Sequence, residues 1–269
     1  MSVLPDDLRE LPRALAARGW EARVVATTGS TNDDARAWAA THAEGRLIVV
    51  ADAQDHGRGR HGRAWSSPSG ASLALSVVLR PALPPARLPV IALLAGLAAR
   101  RAIAVRVPAV LLKWPNDVVV EAQDGLRKLA GVLVESSLSG TRVDHVVVGV
   151  GVNVARASFP PELEGRATSL AMLGAEGPAL DRGALVIDLL EALEDELAVH
   201  LAHPGELPSR IAEHDALLGV EVAIDGQARG VADGIAEDGR LRVRTDTGAI
   251  VLAAAGEVTL TAARGRRSR

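Results

Sequence analysis

Residues 57–65 form a short segment in which three glycines alternate with three arginines and a histidine before a tryptophan. Glycine lets the backbone approach a ligand closely. The planar guanidinium of arginine donates paired hydrogen bonds to a phosphate or a carboxylate. This composition therefore predicts a loop that closes over an anion. A solvated basic turn without a ligand is the alternative that composition leaves open.

The spacing of Gly57, Gly59 and Gly62 also fits the glycine pattern of dinucleotide-binding folds. That pattern requires an apolar helix directly after the turn, because the helix N-terminus holds the pyrophosphate. Residues 65–70, Trp-Ser-Ser-Pro-Ser-Gly, are instead typical of a loop. The sequence therefore disfavours a Rossmann-type site here.

Lysine and asparagine are rare in this chain. Of the 30 basic residues 28 are arginine, and the two lysines are Lys113 and Lys128. The asparagines are Asn32, Asn116 and Asn153. A lysine kept in an arginine-rich chain indicates a position that needs a compact ammonium rather than a guanidinium fork. The short stretches around these residues are therefore candidate site segments.

The hydrophobic pattern predicts the elements that carry these segments. Alternating or continuous apolar runs indicate strands, and a 3.6-residue periodicity indicates helices. Strands are predicted at residues 20–26, 46–52, 71–80, 111–120, 128–135 and 145–154, and helices at residues 6–19, 33–41, 90–103, 182–201 and 206–217. A strand on each side of the basic loop places that loop at one end of a sheet.

Pro115 interrupts the apolar run at residues 111–120. Because proline lacks the N–H of a central strand, a turn or bulge is expected there, with its polar side chains directed at the site. The next strand is expected to begin at Lys128, after a charged hairpin tip at residues 121–127. Trp114 is expected in the core.

The C-terminal part changes character at residue 218. Four short apolar runs at residues 220–224, 230–235, 241–244 and 249–253 are joined by Asp-Gly and Thr-Gly turns, which predicts a small antiparallel barrel. We therefore expect one domain at residues 1–217 and a second at 218–262. Residues 263–269 are expected to be a disordered basic tail.

Composition limits the possible functions. The chain has 269 residues, 48% of them hydrophobic, and a net charge of −3, so neither nucleic acid nor membrane is favoured as a partner. The absence of cysteine excludes disulfides, thiolate catalysis and cysteine metal sites. Neither a signal peptide nor a membrane span is expected, which predicts a cytoplasmic protein.

Four stretches together resemble the biotin protein ligase family. They are Ser30–Asn32, Gln54 with residues 57–65, Lys113–Asp117 with Lys128–Gly131, and Gly149–Asn153. Their order and spacing fit the family over about residues 20–262. The resemblance implies an α+β fold, with a mixed-sheet catalytic domain of the biotin/lipoate ligase type and a C-terminal SH3-like barrel.

The resemblance implies an ATP-dependent reaction in two steps. The carboxylate of biotin attacks the α-phosphate of ATP, which gives biotinyl-5′-AMP and pyrophosphate. A lysine of a biotin carboxyl carrier domain, part of an acyl-CoA carboxylase, then attacks the mixed anhydride. Mg²⁺ accompanies the nucleotide, and no protein metal ligands are expected. Two negative charges at ~4 Å repel by about 4 kcal/mol at an effective dielectric near 20, so preplaced cations are needed. Arg58, Arg60 and Lys128 are the candidates.

The resemblance also implies roles for individual residues. Lys128, Arg60 and Asp117 would be catalytic, with Asp117 orienting or deprotonating the incoming lysine. The implied biotin-binding residues are Ser30, Thr31, Asn32, Gln54, Arg58, Gly59, Arg60, Lys128 and Gly131. The implied ATP- or adenylate-binding residues are Arg58, Arg60, Arg63, Trp65, Lys113, Asn116, Lys128 and Asn153.

Two alternative functions remain at the level of sequence. A lipoate or octanoate ligase or transferase would share the fold and the lysine but lacks the glycine–arginine loop ending in tryptophan. A non-enzymatic nucleic-acid-binding module is disfavoured by the negative net charge and by an aromatic content of 2%. About twenty residues precede the matching part, so no DNA-binding domain is expected. A monomer and a homodimer are both compatible with the sequence.

Overall fold

The computed structural model describes residues 4–81, 84–140, 142–226, 228–254 and 256–260. Its helices are α1 (Asp6–Arg9), α2 (Leu11–Ala16), α3 (Thr31–Thr41), α4 (Leu88–Ala104), α5 (Arg182–Ala202) and α6 (Leu207–Ala212). The first seven strands are β1 (Glu21–Thr28), β2 (Leu47–Gln54), β3 (Ser72–Leu79), β4 (Val110–Lys113), β5 (Asp117–Ala122), β6 (Gly125–Ser139) and β7 (Arg142–Asn153). The last five are β8 (Glu221–Ile224), β9 (Ala228–Ile235), β10 (Leu241–Arg244), β11 (Ile250–Ala253) and β12 (Val258–Leu260).

The first seven strands form one mixed sheet in the order β1-β2-β3-β7-β6-β5-β4. Strands β1 and β2 are parallel and are connected through α3, whereas all other neighbours are antiparallel. A parallel pair needs such a crossover, because the end of the first strand and the start of the second lie at opposite ends of the pair. The predicted mixed-sheet α+β fold is confirmed.

Both faces of strands β2 and β3 are buried. Ile48 and Val50 of β2 belong to the large core that includes α4 and α5, whereas Leu47 and Val49 pack with Trp38 of α3. Successive side chains of a strand point to opposite faces, so one helical layer covers each side. This explains why the strands have nearly continuous apolar sequences.

Three predicted boundaries were wrong. The N-terminal helix is split at Glu10, and the second piece carries Pro12 in its first turn. The predicted helix at residues 206–217 ends at Ala212, because residues 214–216 instead pair with Leu112 of β4. Strand β6 begins at Gly125, which makes Lys128 its fourth residue rather than its first.

The C-terminal strands form a five-stranded antiparallel sheet in the order β11-β10-β9-β8-β12. The four predicted strands are present, and β12, with only three residues, was missed. The buried Trp114 links the two sheets, since its indole Nε1 donates a hydrogen bond to the carbonyl oxygen of Gly239 at 3.0 Å. The tail predicted at residues 263–269 lies outside the described residues.

Candidate functional site

The basic loop at residues 57–65, called the flap below, is a closed hairpin. The amide of Gly59 donates to the carbonyl of Arg63 at 2.7 Å, and the amide of Trp65 donates to the carbonyl of Gly57 at 2.8 Å. A Cβ at Gly57 would lie 2.3 Å from the carbonyl oxygen of Trp65, so only glycine allows this approach. At the tip His61 has a φ of 57°, a left-handed conformation.

A cavity of about 530 Å³ lies between the flap and the first sheet. It brings together side chains from the flap, α3, β2, β5, β6 and β7. All of the predicted site residues line it: Ser30, Thr31, Asn32, Gln54, Arg58, Gly59, Arg60, Arg63, Trp65, Lys113, Asn116, Asp117, Lys128, Gly131 and Asn153. This volume is in the usual range for a small-molecule site.

One part of the cavity wall is neutral and polar. The backbone N and the hydroxyl of Thr31 both donate to the Oε1 atom of Gln54, at 2.8 and 3.0 Å. Ser30 occupies the N-cap position of α3, but its side chain makes no capping hydrogen bond. This wall therefore offers hydroxyl and amide groups at a helix N-terminus without a formal charge.

Asn32 is committed to protein partners. Its Nδ2 atom donates to Glu135 at 2.7 Å, and the Ser76 hydroxyl lies 2.6 Å from its Oδ1 atom. A Cβ at Gly149 would lie 2.2 Å from the same Oδ1 atom, so this glycine makes room for Asn32. Asn32 lies at the cavity wall, where its amide joins the start of α3 to the sheet.

Another part of the wall carries the two lysines. The Nζ atom of Lys128 lies 2.6 Å from Oδ1 of Asp117 and 5.4 Å from the centre of the Trp65 ring. Gly131 leaves the space that this ammonium occupies, because a Cβ there would lie 2.9 Å from Lys128 Nζ. The ammonium of Lys128 therefore lies between one carboxylate and one aromatic wall.

Burial changes the proton affinity of two further cations. Desolvation lowers the pKa of Lys113, although Asp117 and Glu257 partly oppose this shift. Desolvation also lowers the pKa of Arg60, against the opposing charge of Asp117. Burial without a close countercharge disfavours the cationic form, so an anion entering the cavity would be strongly attracted.

The three flap arginines have different partners. Both guanidinium ends of Arg58 bind Asp33, at 2.5 and 2.7 Å, and these hydrogen bonds lower the pKa of Asp33. Arg63 pairs with Glu257 of the C-terminal part. Within the described part of the chain Arg60 makes no ion pair, and its Nη1 atom lies 3.5 Å from Oδ1 of Asn116. Arg60 is therefore the flap cation available to a ligand.

Trp65 packs directly on the sheet. A Cβ at Gly151 would lie 2.4 Å from Cε2 of the indole, so the missing side chain creates the seat of the ring. The Trp65 Nε1 atom is buried without a hydrogen-bond partner among the described residues. Two residues after Gly151 on β7, Asn153 is buried, and its Nδ2 atom donates a hydrogen bond to the carbonyl oxygen of Thr168 at 3.0 Å. These residues form a flat wall suited to an aromatic ring.

Sequence reasoning missed one wall of the cavity. It is formed by the loop after β7 and by the start of β12 with the two residues before it. Its residues are Arg156, Phe159, Glu162, Leu163, Arg166, Gly256, Glu257 and Val258. The loop is fixed by pairing with β6, since the amide of Lys128 donates to the carbonyl of Arg166 at 2.8 Å. The loop has no hydrophobic periodicity that could have indicated this position.

The cavity thus combines a neutral hydrogen-bonding wall, a flat aromatic wall and a cationic region. Such a site suits ligands that carry a polar uncharged head, an aromatic base and anionic groups. Among the described residues there is no group of three or more His, Asp or Glu side chains that could hold a metal ion.

Two protein families match parts of the sequence. Residues 24–153 match the Biotin/lipoate A/B protein ligase family, and residues 219–260 match the Biotin protein ligase C terminal domain. The second match covers the small antiparallel sheet.

Curated relatives match along most of the chain. A biotin–[acetyl-CoA-carboxylase] ligase of Mycobacterium tuberculosis is 37% identical over 267 residues, which cover 94% of this chain and 95% of that relative. The corresponding ligase of Paracoccus denitrificans is 36% identical over 250 residues, covering 86% and 98% of the two chains. A solved structure of biotin protein ligase from Aquifex aeolicus in complex with biotin and ATP is similar with a TM-score of 0.73 and 30% identity, and covers 92% of this chain and 99% of that one.

Proposed function

This chain belongs to the biotin protein ligase family, and on that premise we propose how its cavity performs ATP-dependent protein biotinylation. The enzyme activates biotin as biotinyl-5′-AMP with release of pyrophosphate, and it then transfers the biotinyl group to a lysine of a biotin carboxyl carrier protein with release of AMP. The observation that carries the site assignment is the meeting of Lys128, Arg60 and Asp117 in one cavity whose other wall holds Thr31 and Gln54.

In the first step a carboxylate must approach a phosphate. Lys128 and Arg60 supply the positive charge that offsets their repulsion, because both side chains line the cavity beside Asp117. Loss of one preplaced donor of this kind typically costs ~10²–10³ in rate. The ammonium of Lys128 exchanges its Asp117 partner for the biotin carboxylate and the α-phosphate.

In the second step the acceptor lysine must be neutral to attack. Asp117 is freed once Lys128 turns to the phosphate, and it then orients or deprotonates the incoming amine. The Nζ atom of Lys128 and Oδ1 of Asp117 lie 2.6 Å apart before ligand enters, so this exchange needs only a change of ion-pair partner.

The ureido head of biotin and the adenine base of ATP lie against the remaining walls of the cavity. Ser30, Thr31 and Gln54 bind the ureido group of biotin, whose N–H and C=O groups match hydroxyls and amides. Trp65 stacks on adenine, and Asn153 with Asn116 recognises its edges or the ribose. Lys113 and Arg63 lie near the phosphates, since both line the same cavity as Lys128.

Mg²⁺ enters with the triphosphate in this proposal. Magnesium is usually held by substrate phosphates, water and one or two carboxylates. The described residues contain no cluster of three metal-ligating side chains. Asp117, which pairs with Lys128, is the carboxylate beside the proposed phosphate site. When bound, the ion neutralises phosphate charge, and the protein residues orient the biotin carboxylate.

The carrier protein is a subunit or domain of an acyl-CoA carboxylase, in keeping with the two bacterial relatives, which are biotin–[acetyl-CoA-carboxylase] ligases. The reaction takes place in the cytoplasm, where ATP is supplied. None of the helices in the described part of the chain has the length and apolar character of a membrane span.

The test is biotin-dependent exchange of labelled pyrophosphate into ATP. We expect exchange with biotin, little with lipoate, and a loss of about 10²–10³-fold in Lys128→Ala. Arg127→Ala is the matched control. Arg127 directly precedes Lys128, but its guanidinium is partly exposed and pairs with Asp124, away from the lysine. Faster exchange with lipoate would identify a lipoate ligase, and normal exchange in Lys128→Ala would remove this lysine from the phosphate site.

A further inference from the structure

The flap is tethered to the rest of the molecule on two sides. Arg58, on its first arm, reaches Asp33 in the first turn of α3, and Arg63, on its second arm, reaches Glu257. Backbone pairing of Arg58 with Ala64 joins the two arms. Holding the Arg58 side chain therefore holds the base of the whole hairpin.

We propose that Asp33 is a positioning residue that latches the flap through Arg58 and thereby sets how long the activated intermediate stays in the cavity. This inference rests on the proposed function, because it concerns the release of biotinyl-5′-AMP. It gives Arg58 the role of a latch partner, whereas the resemblance to the family implied a ligand-binding role.

The geometry of the Arg58–Asp33 contact supports a latch. Its two hydrogen bonds are parallel, with Nη1 to Oδ2 at 2.5 Å and Nη2 to Oδ1 at 2.7 Å. Such a bidentate pair fixes the orientation of both side chains, which a single contact does not. The guanidinium therefore faces α3, while Arg60, two residues along, lies beside Asn116.

Asp33 is itself held by a network of charges. Arg36 lies 2.7 Å from Asp33 and 3.2 Å from Glu135 of β6. Glu135 also accepts the hydrogen bond of Asn32 and lies 3.7 Å from Arg58. Two cations and two carboxylates thus connect the flap, α3 and β6, so the latch is fixed to the sheet that carries the site.

The latch is also able to open. The side chains of Arg58, Asp33 and Glu135 are 35%, 48% and 31% exposed. Exposed ion pairs contribute little net stability, because water competes for both partners. A contact of this strength permits opening in each catalytic cycle, which substrate entry and transfer to a carrier protein require.

The experiment measures release of the intermediate. Wild type, Asp33→Asn and Arg58→Gln are each loaded with labelled biotin and ATP in the presence of pyrophosphatase, and loss of bound biotinyl-5′-AMP is followed by rapid filtration. We expect release to be about three- to ten-fold faster in Asp33→Asn. In Asp33→Asn the kcat of pyrophosphate exchange at saturating substrate should remain within about two-fold of the wild-type value, while KM for biotin rises.

The control is Asp34→Asn. It removes a carboxylate from the same first turn of α3, so it reproduces the change at the helix N-terminus. Asp34 accepts a hydrogen bond from Thr28 and not from the flap, so release should stay at the wild-type rate. Melting temperatures of both variants separate loss of folding from loss of the latch.

The double variant Asp33→Asn/Arg58→Gln gives the second readout. If the two side chains act as one latch, the double variant releases the intermediate no faster than Arg58→Gln alone. A wild-type release rate in Asp33→Asn, or additive effects in the double variant, would overturn the latch. Wild-type enzyme that forms no biotinyl-5′-AMP would instead overturn the proposed function together with the inference that rests on it.

Discussion

At the scale of single residues, glycines create the space in which the site side chains lie. Gly149 admits the amide of Asn32, Gly151 admits the indole of Trp65, and Gly131 admits the ammonium of Lys128. Each lies on β6 or β7, where a Cβ would project from the sheet into the neighbouring side chain. These positions receive protein side chains, and those side chains line the cavity.

We expect Gly151→Ala to weaken ATP binding. The new methyl group would lie 2.4 Å from the Trp65 ring, which must move off the sheet. Because Trp65 is the proposed adenine wall, KM for ATP should rise by about ten-fold or more, in line with the ~1–3 kcal/mol of a stacked base. Pyrophosphate exchange at varied ATP measures this.

Gly205→Ala is the control for this substitution, since the nearest atom to its Cβ lies 3.9 Å away. Its KM for ATP should equal that of the wild type. If Gly151→Ala also keeps a normal KM, Trp65 does not contact the nucleotide.

At the scale of elements, the connection between β4 and β5 carries two functions. Asn116 and Asp117 lie at the cavity, while the preceding Trp114 is buried and bonds to Gly239 in the turn between β9 and β10. The connection that contains Pro115 therefore joins the site to the C-terminal sheet. Glu257, directly before β12 of that sheet, in turn pairs with Arg63 of the flap.

Substitution of Trp114 should separate packing from hydrogen bonding. Trp114→Phe keeps most of the apolar burial and loses one buried hydrogen bond, so we expect a cost of about 1–3 kcal/mol because the Gly239 carbonyl is left without its donor. Trp114→Ala should cost about 3–5 kcal/mol. Urea unfolding of both variants gives the two values, and equal costs would mean that the hydrogen bond, not the ring, dominates.

At the scale of the whole molecule, a buried ion network joins three distant segments. Arg182 at the start of α5 binds Asp7 of α1 through Nε at 2.7 Å and Nη2 at 2.8 Å, and Asp52 of β2 through Nη1 at 2.5 Å. Asp52 also accepts from Ser69 and from the amide of Gly70, just beyond the flap. Burial tends to raise the pKa of Asp7 and Asp52, but these hydrogen bonds and the charge of Arg182 outweigh it and lower both values.

We expect Arg182→Leu to destabilise the fold by about 3–5 kcal/mol at pH 7, because it leaves the buried Asp52 and the partly buried Asp7 without their cation. Arg101→Leu, which removes an exposed partner of Asp195, should cost less than about 1 kcal/mol. Urea unfolding at pH 7 measures both. A cost below 1 kcal/mol for Arg182→Leu would show that the network contributes little.

The pH dependence has a definite sign. Since the pKa values of Asp7 and Asp52 are lowered by folding, their contribution is complete above the unfolded value near ~3.9 and is lost as the pH falls through the folded values. The stability difference between wild type and Arg182→Leu should therefore stay nearly constant from pH 7 to about 4 and narrow as the pH is lowered further. A constant difference across this range would contradict the network.

The sequence by itself determined most of the elements, and the family resemblance indicated the candidate site residues that line the cavity, but β12 and the wall that includes residues 156–166 were missed. Turn residues such as Asp225-Gly226, apolar periodicity and the glycine–arginine segment act over a few neighbouring residues, so their patterns are readable along the chain. The predicted mixed sheet follows from these patterns together with the family resemblance, and so does the grouping of the site residues on one cavity.

Only the tertiary structure decided which charges are partners. Arg58 finds Asp33 at a separation of 25 residues, Arg182 finds Asp7 at 175, and Arg63 finds Glu257 at 194. With 30 basic and 33 acidic residues, no local pattern selects among the possible pairs. Ion pairing depends on distances of a few ångströms, and only the packing of the sheets and helices sets those distances.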